Sequence, residues 1–228
     1  MQSSTVAVGY QSEATRNAFI RKTYAHLLLA VLAFIGIEVY LFQTGLAQSM
    51  AQAMLSVNWL FILGGFVLLS WLATHFAQSS QNKGMQYLGL GLYVILQAII
   101  FVPMLYIAQA KAGGGVIETA GTATIIGFAG LTLIAFSTRT DFSFLGKFLL
   151  WGGLGAMLLI ICGSLFGFHL GTFFSVAMII FAGAAILYDT SNIIHHFGED
   201  QYVAASLQLF ASVAMLFFYL LRFFSGRD

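Results

Sequence analysis

The stretch "FLLWGGLGAMLLIICGSLFGFHLGTFFSVAMIIFAGAAILY", residues 148–188, carries no formal charge in 41 residues and ends against an aspartate, Asp189. A membrane-spanning helix needs about 20 mostly apolar residues. The run is therefore too long for one span and fits two, joined by a tight turn around "GFHLG", Gly167 to Gly171. It reads as a membrane hairpin. The same unit recurs outward from it. Residues 84–110, 119–138 and 201–221 are uncharged runs of one span each, and 39–82 is split by the polar loop "QTGLAQSMAQAMLSVN" at 43–58.

Seven helices follow, near residues 24–43, 57–77, 85–108, 116–138, 146–167, 170–194 and 202–224. The expected fold is an all-α integral membrane protein, a seven-helix bundle spanning 23–228 behind a cytoplasmic N-terminal tail, 1–22. Composition agrees: 60% of the residues are hydrophobic and 7% charged, against about 25% charged in soluble domains. The net charge of +1 and the lack of a basic tract exclude nucleic acid as a partner. The tail lacks the apolar core of a signal peptide, so the first helix is expected to stay as an anchor.

Positive residues near helix ends favour the cytoplasmic side. With the N-terminus inside, Arg16, Arg21, Lys22, Lys83, Arg139 and Lys147 fall inside and Lys111, Arg222 and Arg227 outside. The C-terminus is then periplasmic. Within 43–58, Leu46, Met50, Met54 and Val57 are spaced as on a short helix lying in the outer interface; an ordinary polar loop is the alternative. Cys162, the only cysteine, lies in the fifth span and reads as packing.

A carboxylate at membrane depth costs about 2.5–3.5 kcal/mol, so an acid there calls for a role. Glu38 lies close enough to the outer end of its helix to reach the interface. Asp189 is framed by polar residues. At helical spacing, Asn192 and His196 share its face, and Tyr188, Ser191 and His195 form the adjoining strip. Two readings stand: a proton or cation site whose protonation changes how its helix packs, or a carboxyl that ties helices together by hydrogen bonds. His26, His75, His195 and His196 fall at cytoplasmic helix ends, with His169 in the outer turn; none has zinc-site spacing, and no metal is expected. Ser164 and His169 straddle a turn and no GxSG occurs, so no enzyme activity is expected. No cofactor box emerges.

The segments "AFSTRTDFSFLGKFL", "AILYDTSNII" and "QYVAASLQLFASVAMLFFYLLRFF" closely resemble the Bax inhibitor-1 family of seven-helix membrane proteins, and "TRTDFSFLG" with "GAAILYDTSNIIH" is most similar to its bacterial YccA-like branch. The resemblance implies a bundle of six helices around a central last one. It also implies two kinds of biology. Some bacterial relatives look like pH-sensitive calcium leak channels gated by a pair of aspartates on the last two helices. Asp189 matches the first of that pair, and Ser212 stands at the position of the second. No arginine occurs in 57–77 to hold Asp189, which leaves His75 as a substitute by location alone. The YccA-like branch instead resembles modulators and substrates of FtsH, the membrane-embedded ATP-dependent protease. On that reading the partners are membrane lipid and the protease complex, with calcium or protons belonging to the leak reading.

Overall fold

A computed structural model describes residues 7–79, 82–112, 115–138, 140–168 and 170–226. Its helices are α1 (Glu13–Gln43), α2 (Leu46–Ser56), α3 (Trp59–Ala77), α4 (Lys83–Ala112), α5 (Gly115–Thr138), α6 (Leu145–Phe166), α7 (Thr172–His195) and α8 (Tyr202–Ser225), with short 3-10 turns at Val8–Tyr10 and Phe142–Phe144. Seven of them are long and apolar enough to cross a membrane. Large apolar side chains cover the outside, such as Phe173 at 93% exposed and Phe61 at 76%. Water would reject that surface and hydrocarbon accepts it, because the helices satisfy their own backbone hydrogen bonds.

The last helix is central. It packs on α7, α1, α5, α4 and, more lightly, α3, whereas α6 stands at the periphery against α7 and α3. The apolar windows of α8 and α4 are each 61% buried, so these two helices share the axis of the bundle. Their contact is aromatic: the Phe101 ring of α4 stacks 5.5 Å from Phe217 and meets Phe218 and Phe34 edge-on. Against the other side of α4, α3 comes close at Gly89. A Cβ there would lie 2.4 Å from the Ala77 nitrogen and 2.5 Å from the Ala73 oxygen. Small residues permit this backbone approach, a common device between membrane helices.

Three expectations change. The 1–22 tail is shorter than hydropathy indicates, because α1 starts at Glu13, where the Ser12 side chain accepts from the Thr15 N–H. Hydropathy detects only the part of a helix that lies in hydrocarbon. The described residues before it are docked: Val8 is fully buried, its N–H donates to the Phe197 carbonyl at 2.8 Å, and Ala7 bridges Gly198. Gly9 fits because a Cβ there would sit 2.9 Å from the His195 carbonyl oxygen.

Residues 46–56 do form a helix, in which Met50 and Met54 are half-buried against the bundle beside the buried Ala47 and Ala51, while Leu46 and Val57 are exposed. The apolar positions are thus divided between the bundle and the outside, because α2 packs on α4. Glu38 does not reach outward. It is 7% exposed, on the α1 strip that also buries Phe34, and neither carboxyl oxygen has a hydrogen-bond partner among the described residues.

Candidate functional site

The connection 196–201 returns the chain sharply from α7 into α8, which sets the two helices side by side. Asp189 and Ser212 meet across that seam. Both are buried, and the Ser212 hydroxyl donates to Asp189 Oδ2 at 2.5 Å. From α4, Tyr93 stands within electrostatic reach of Asp189. Thr190, next in sequence, turns the other way and faces the Tyr24 hydroxyl of α1.

Ser212 also forms part of the wall of a cavity of about 660 Å³ between α3, α4, α6 and α8. Tyr93, Val67, Met157 and Ser212 line its deep end at mid-bundle. Trp59, Leu170 and Arg222 line the end on the face opposite the N-terminus. Most of the wall is apolar, with Gln97 as a polar exception: it is buried, and its Oε1 has no hydrogen-bond partner among the described residues. Arg222 is held at the mouth, donating to the Leu170 carbonyl with its guanidinium 5.7 Å above the Phe174 ring. The arrangement is a half-depth vestibule. Asp189 does not line it and is joined to its wall through the Ser212 hydroxyl.

The histidines do not gather around Asp189. His75 is exposed and stacks on Trp71 at 5.8 Å, on the turn preceding it in α3. His196 follows the last residue of α7, and its Nε2 lies 3.1 Å from Oδ2 of Asp141 in the α5–α6 connection. Helical spacing put His196 on the face of Asp189, but at the end of α7 its ring is held by Asp141 in the loop. His169 and Arg139 fall outside the described residues, as does Arg227.

Asp141 organises a second cluster that sequence reading passed over. Its Oδ1 accepts from the Ser143 N–H at 2.9 Å and from the Ser191 hydroxyl at 3.3 Å, while that hydroxyl accepts the Phe142 N–H at 2.9 Å. The Ser143 N–H and then His196 hold the Asp141 carboxyl below its ordinary value of 3.8, outweighing its slight desolvation. The result ties the start of α6 to the end of α7. An aspartate two residues before a serine, just ahead of an apolar run, is a capping signal that could have flagged it.

The sequence is similar to known proteins over most of its length. The family profile described as "Inhibitor of apoptosis-promoting Bax1" matches residues 16–228. An uncharacterized protein of Pseudomonas aeruginosa is 32% identical over 226 residues, 96% of this chain and 92% of the relative. Protein LIFEGUARD 4 of Arabidopsis thaliana is 29% identical over 96% of the chain and 88% of its own length. An Escherichia coli protein named "Modulator of FtsH protease YccA" is 33% identical over 135 residues, 57% of this chain and 60% of that protein.

Proposed function

The chain belongs to the Bax inhibitor-1 family of multi-pass membrane proteins, and from that premise we propose that it modulates, and is itself a substrate of, the FtsH membrane protease. It would act in the inner membrane with the N-terminus cytoplasmic and the C-terminus periplasmic. The similarity to the Escherichia coli modulator supports the partner. The single observation that carries the mechanism is the seating of Val8, fully buried beneath the α7–α8 connection. A protease that engages the chain from this end meets a fastened segment and then a bundle whose helices are joined by short connections. Occupancy without rapid extraction would slow the degradation of competing substrates. Such a role needs no catalytic residue and no cofactor.

The test compares wild type with Val8→Asp in an ATP-driven degradation assay using purified FtsH and a second membrane substrate. Unfastening should speed turnover of this protein and weaken protection of the competitor. Equal turnover and equal protection by both forms would refute the mechanism.

A second reading, a proton or calcium leak with Asp189 as the titrating residue, draws support from the vestibule whose wall includes Ser212. On that reading Asp189→Asn in proteoliposomes alters calcium flux across a pH series. Flux identical to wild type at every pH would dispose of it.

A further inference from the structure

On the face that carries the N-terminus, α1, α4 and α8 bring together a cationic and aromatic cluster that neither reading above uses. The Lys22 ammonium lies 5.3 Å and the Lys83 ammonium 4.6 Å from the centre of one ring, that of Tyr202. Each ammonium is held at that ring by a cation–π contact, so both charges are gathered around Tyr202. His26 packs between the rings of Tyr87 and Tyr202, at 5.6 and 5.1 Å. A carbonyl only accepts, so the 2.7 Å contact from His26 Nδ1 to the Lys22 carbonyl places a proton on Nδ1. In the neutral ring Nε2 then accepts from the Tyr87 hydroxyl at 3.1 Å, and the Tyr87 oxygen faces the Tyr202 hydroxyl at 3.4 Å. The relay fixes the aromatic floor on which both ammonium groups rest.

The charge on this floor is only partly balanced. Lys83 reaches the Asp200 carboxylate at 3.4 Å and its carbonyl at 2.6 Å. Lys22, which is exposed, has no carboxylate within ion-pair distance among the described residues, and Arg16 and Arg21 precede it on the same helix. One turn or two deeper, the surface becomes apolar and open. Leu29 of α1 is 62% exposed and Leu88 of α4 is 52% exposed, and nothing lies within 4 Å of a Cβ built on Gly91. Cations thus stand where the lipid-facing surface begins, above exposed apolar side chains and an unobstructed Gly91.

We infer that Lys22, Lys83 and the Tyr202 ring form the seat of an acidic phospholipid, the phosphate lying against the two ammonium groups and an acyl chain following Leu29 and Gly91. Charge complementarity selects the occupant. A zwitterionic lipid brings its own cation to the same place and loses the advantage, whereas basic pockets between spanning helices suit anionic headgroups. The seat joins three helices distant in sequence, so the bound lipid also bridges α1, α4 and α8.

The test uses the full chain in nanodiscs of phosphatidylcholine alone or mixed with phosphatidylglycerol, with retained lipids counted by native mass spectrometry. Wild type should retain phosphatidylglycerol several-fold above its share of the mixture. Lys22→Gln, an exposed change that leaves Asp200 paired, should remove most of that excess, and Lys147→Gln at the start of α6 should leave it intact. Equal retention by wild type and Lys22→Gln, or equal loss with Lys147→Gln, would overturn the assignment. Inorganic phosphate in molar excess should fail to displace the lipid; full displacement would identify a free-phosphate site and defeat the lipid reading.

Discussion

Ser212→Ala removes the one hydrogen-bond donor that the described residues give Asp189, at 2.5 Å and in a buried setting. Leaving a buried acceptor without its donor costs about 1–3 kcal/mol, because the carboxyl keeps its desolvation when the donor goes. The adjoining vestibule lets water approach the vacated position, which sets the expectation in the lower half of that range, about 1.5 kcal/mol. That amount corresponds to roughly a ten-fold rise in the unfolding constant. Reversible unfolding in mixed detergent micelles, followed by circular dichroism at neutral pH, gives the number. A double-mutant cycle isolates it. With Asp189→Ala already present, Ser212→Ala should cost at least about 1 kcal/mol less than it does alone, because the acceptor is gone. If the two changes add within about 0.5 kcal/mol, the residues are not coupled, and the pairing across the α7–α8 seam has no energetic weight.

Other perturbations address separate parts of the molecule. Gly89→Ala drives a methyl into the Ala73 and Ala77 backbone, which cannot give as a side chain would; a loss of about 1–3 kcal/mol is expected in the same unfolding assay, and a neutral result would mean that α3 and α4 separate freely. Phe101→Ala empties the aromatic contact between α4 and α8 and should cost about 3–5 kcal/mol; the same measurement checks it. The carboxyl of Asp141 is held below 3.8 in the folded chain, so the stability it contributes is complete above that value and is lost as pH falls through the lowered folded value. Hydrogen exchange at Phe142 and Ser143, corrected for intrinsic rates, should stay slow until the pH is below 3.8, and Asp141→Asn should speed it at every pH. Exchange that rises between neutrality and that limit would place control of the clamp elsewhere.

The spans were legible because hydrocarbon imposes a length on every helix that crosses it, and uncharged runs record that length directly. The start of α1 was not, since Glu13, Arg16, Arg21 and Lys22 break the apolar run and the helix start is marked by the Ser12 cap. The pairing of Asp189 with Ser212 followed from the family resemblance, whereas Tyr93 and Gln97 carry no mark in a run that is otherwise ordinary membrane helix. His196 was misplaced because its ring reaches Asp141 in the α5–α6 connection, a neighbour distant in sequence that a helical wheel does not contain. Glu38 shows a related limit: its distance from a helix end is readable, but the rotation of α1 that buries it depends on α4 and α8. Lys22 and Lys83 counted toward orientation in the sequence, yet only packing brings them to one ring.

The seat of Val8 is built from the segment around His195 to Gly198. The first described residues of the chain therefore rest on a surface that the ribosome makes almost last. During synthesis they must wait, unplaced, until α7 and α8 have entered the bilayer and folded together. Their docking then marks completion, and a chain truncated before the final pair would present its beginning unfastened, in the form that a quality-control system can grasp.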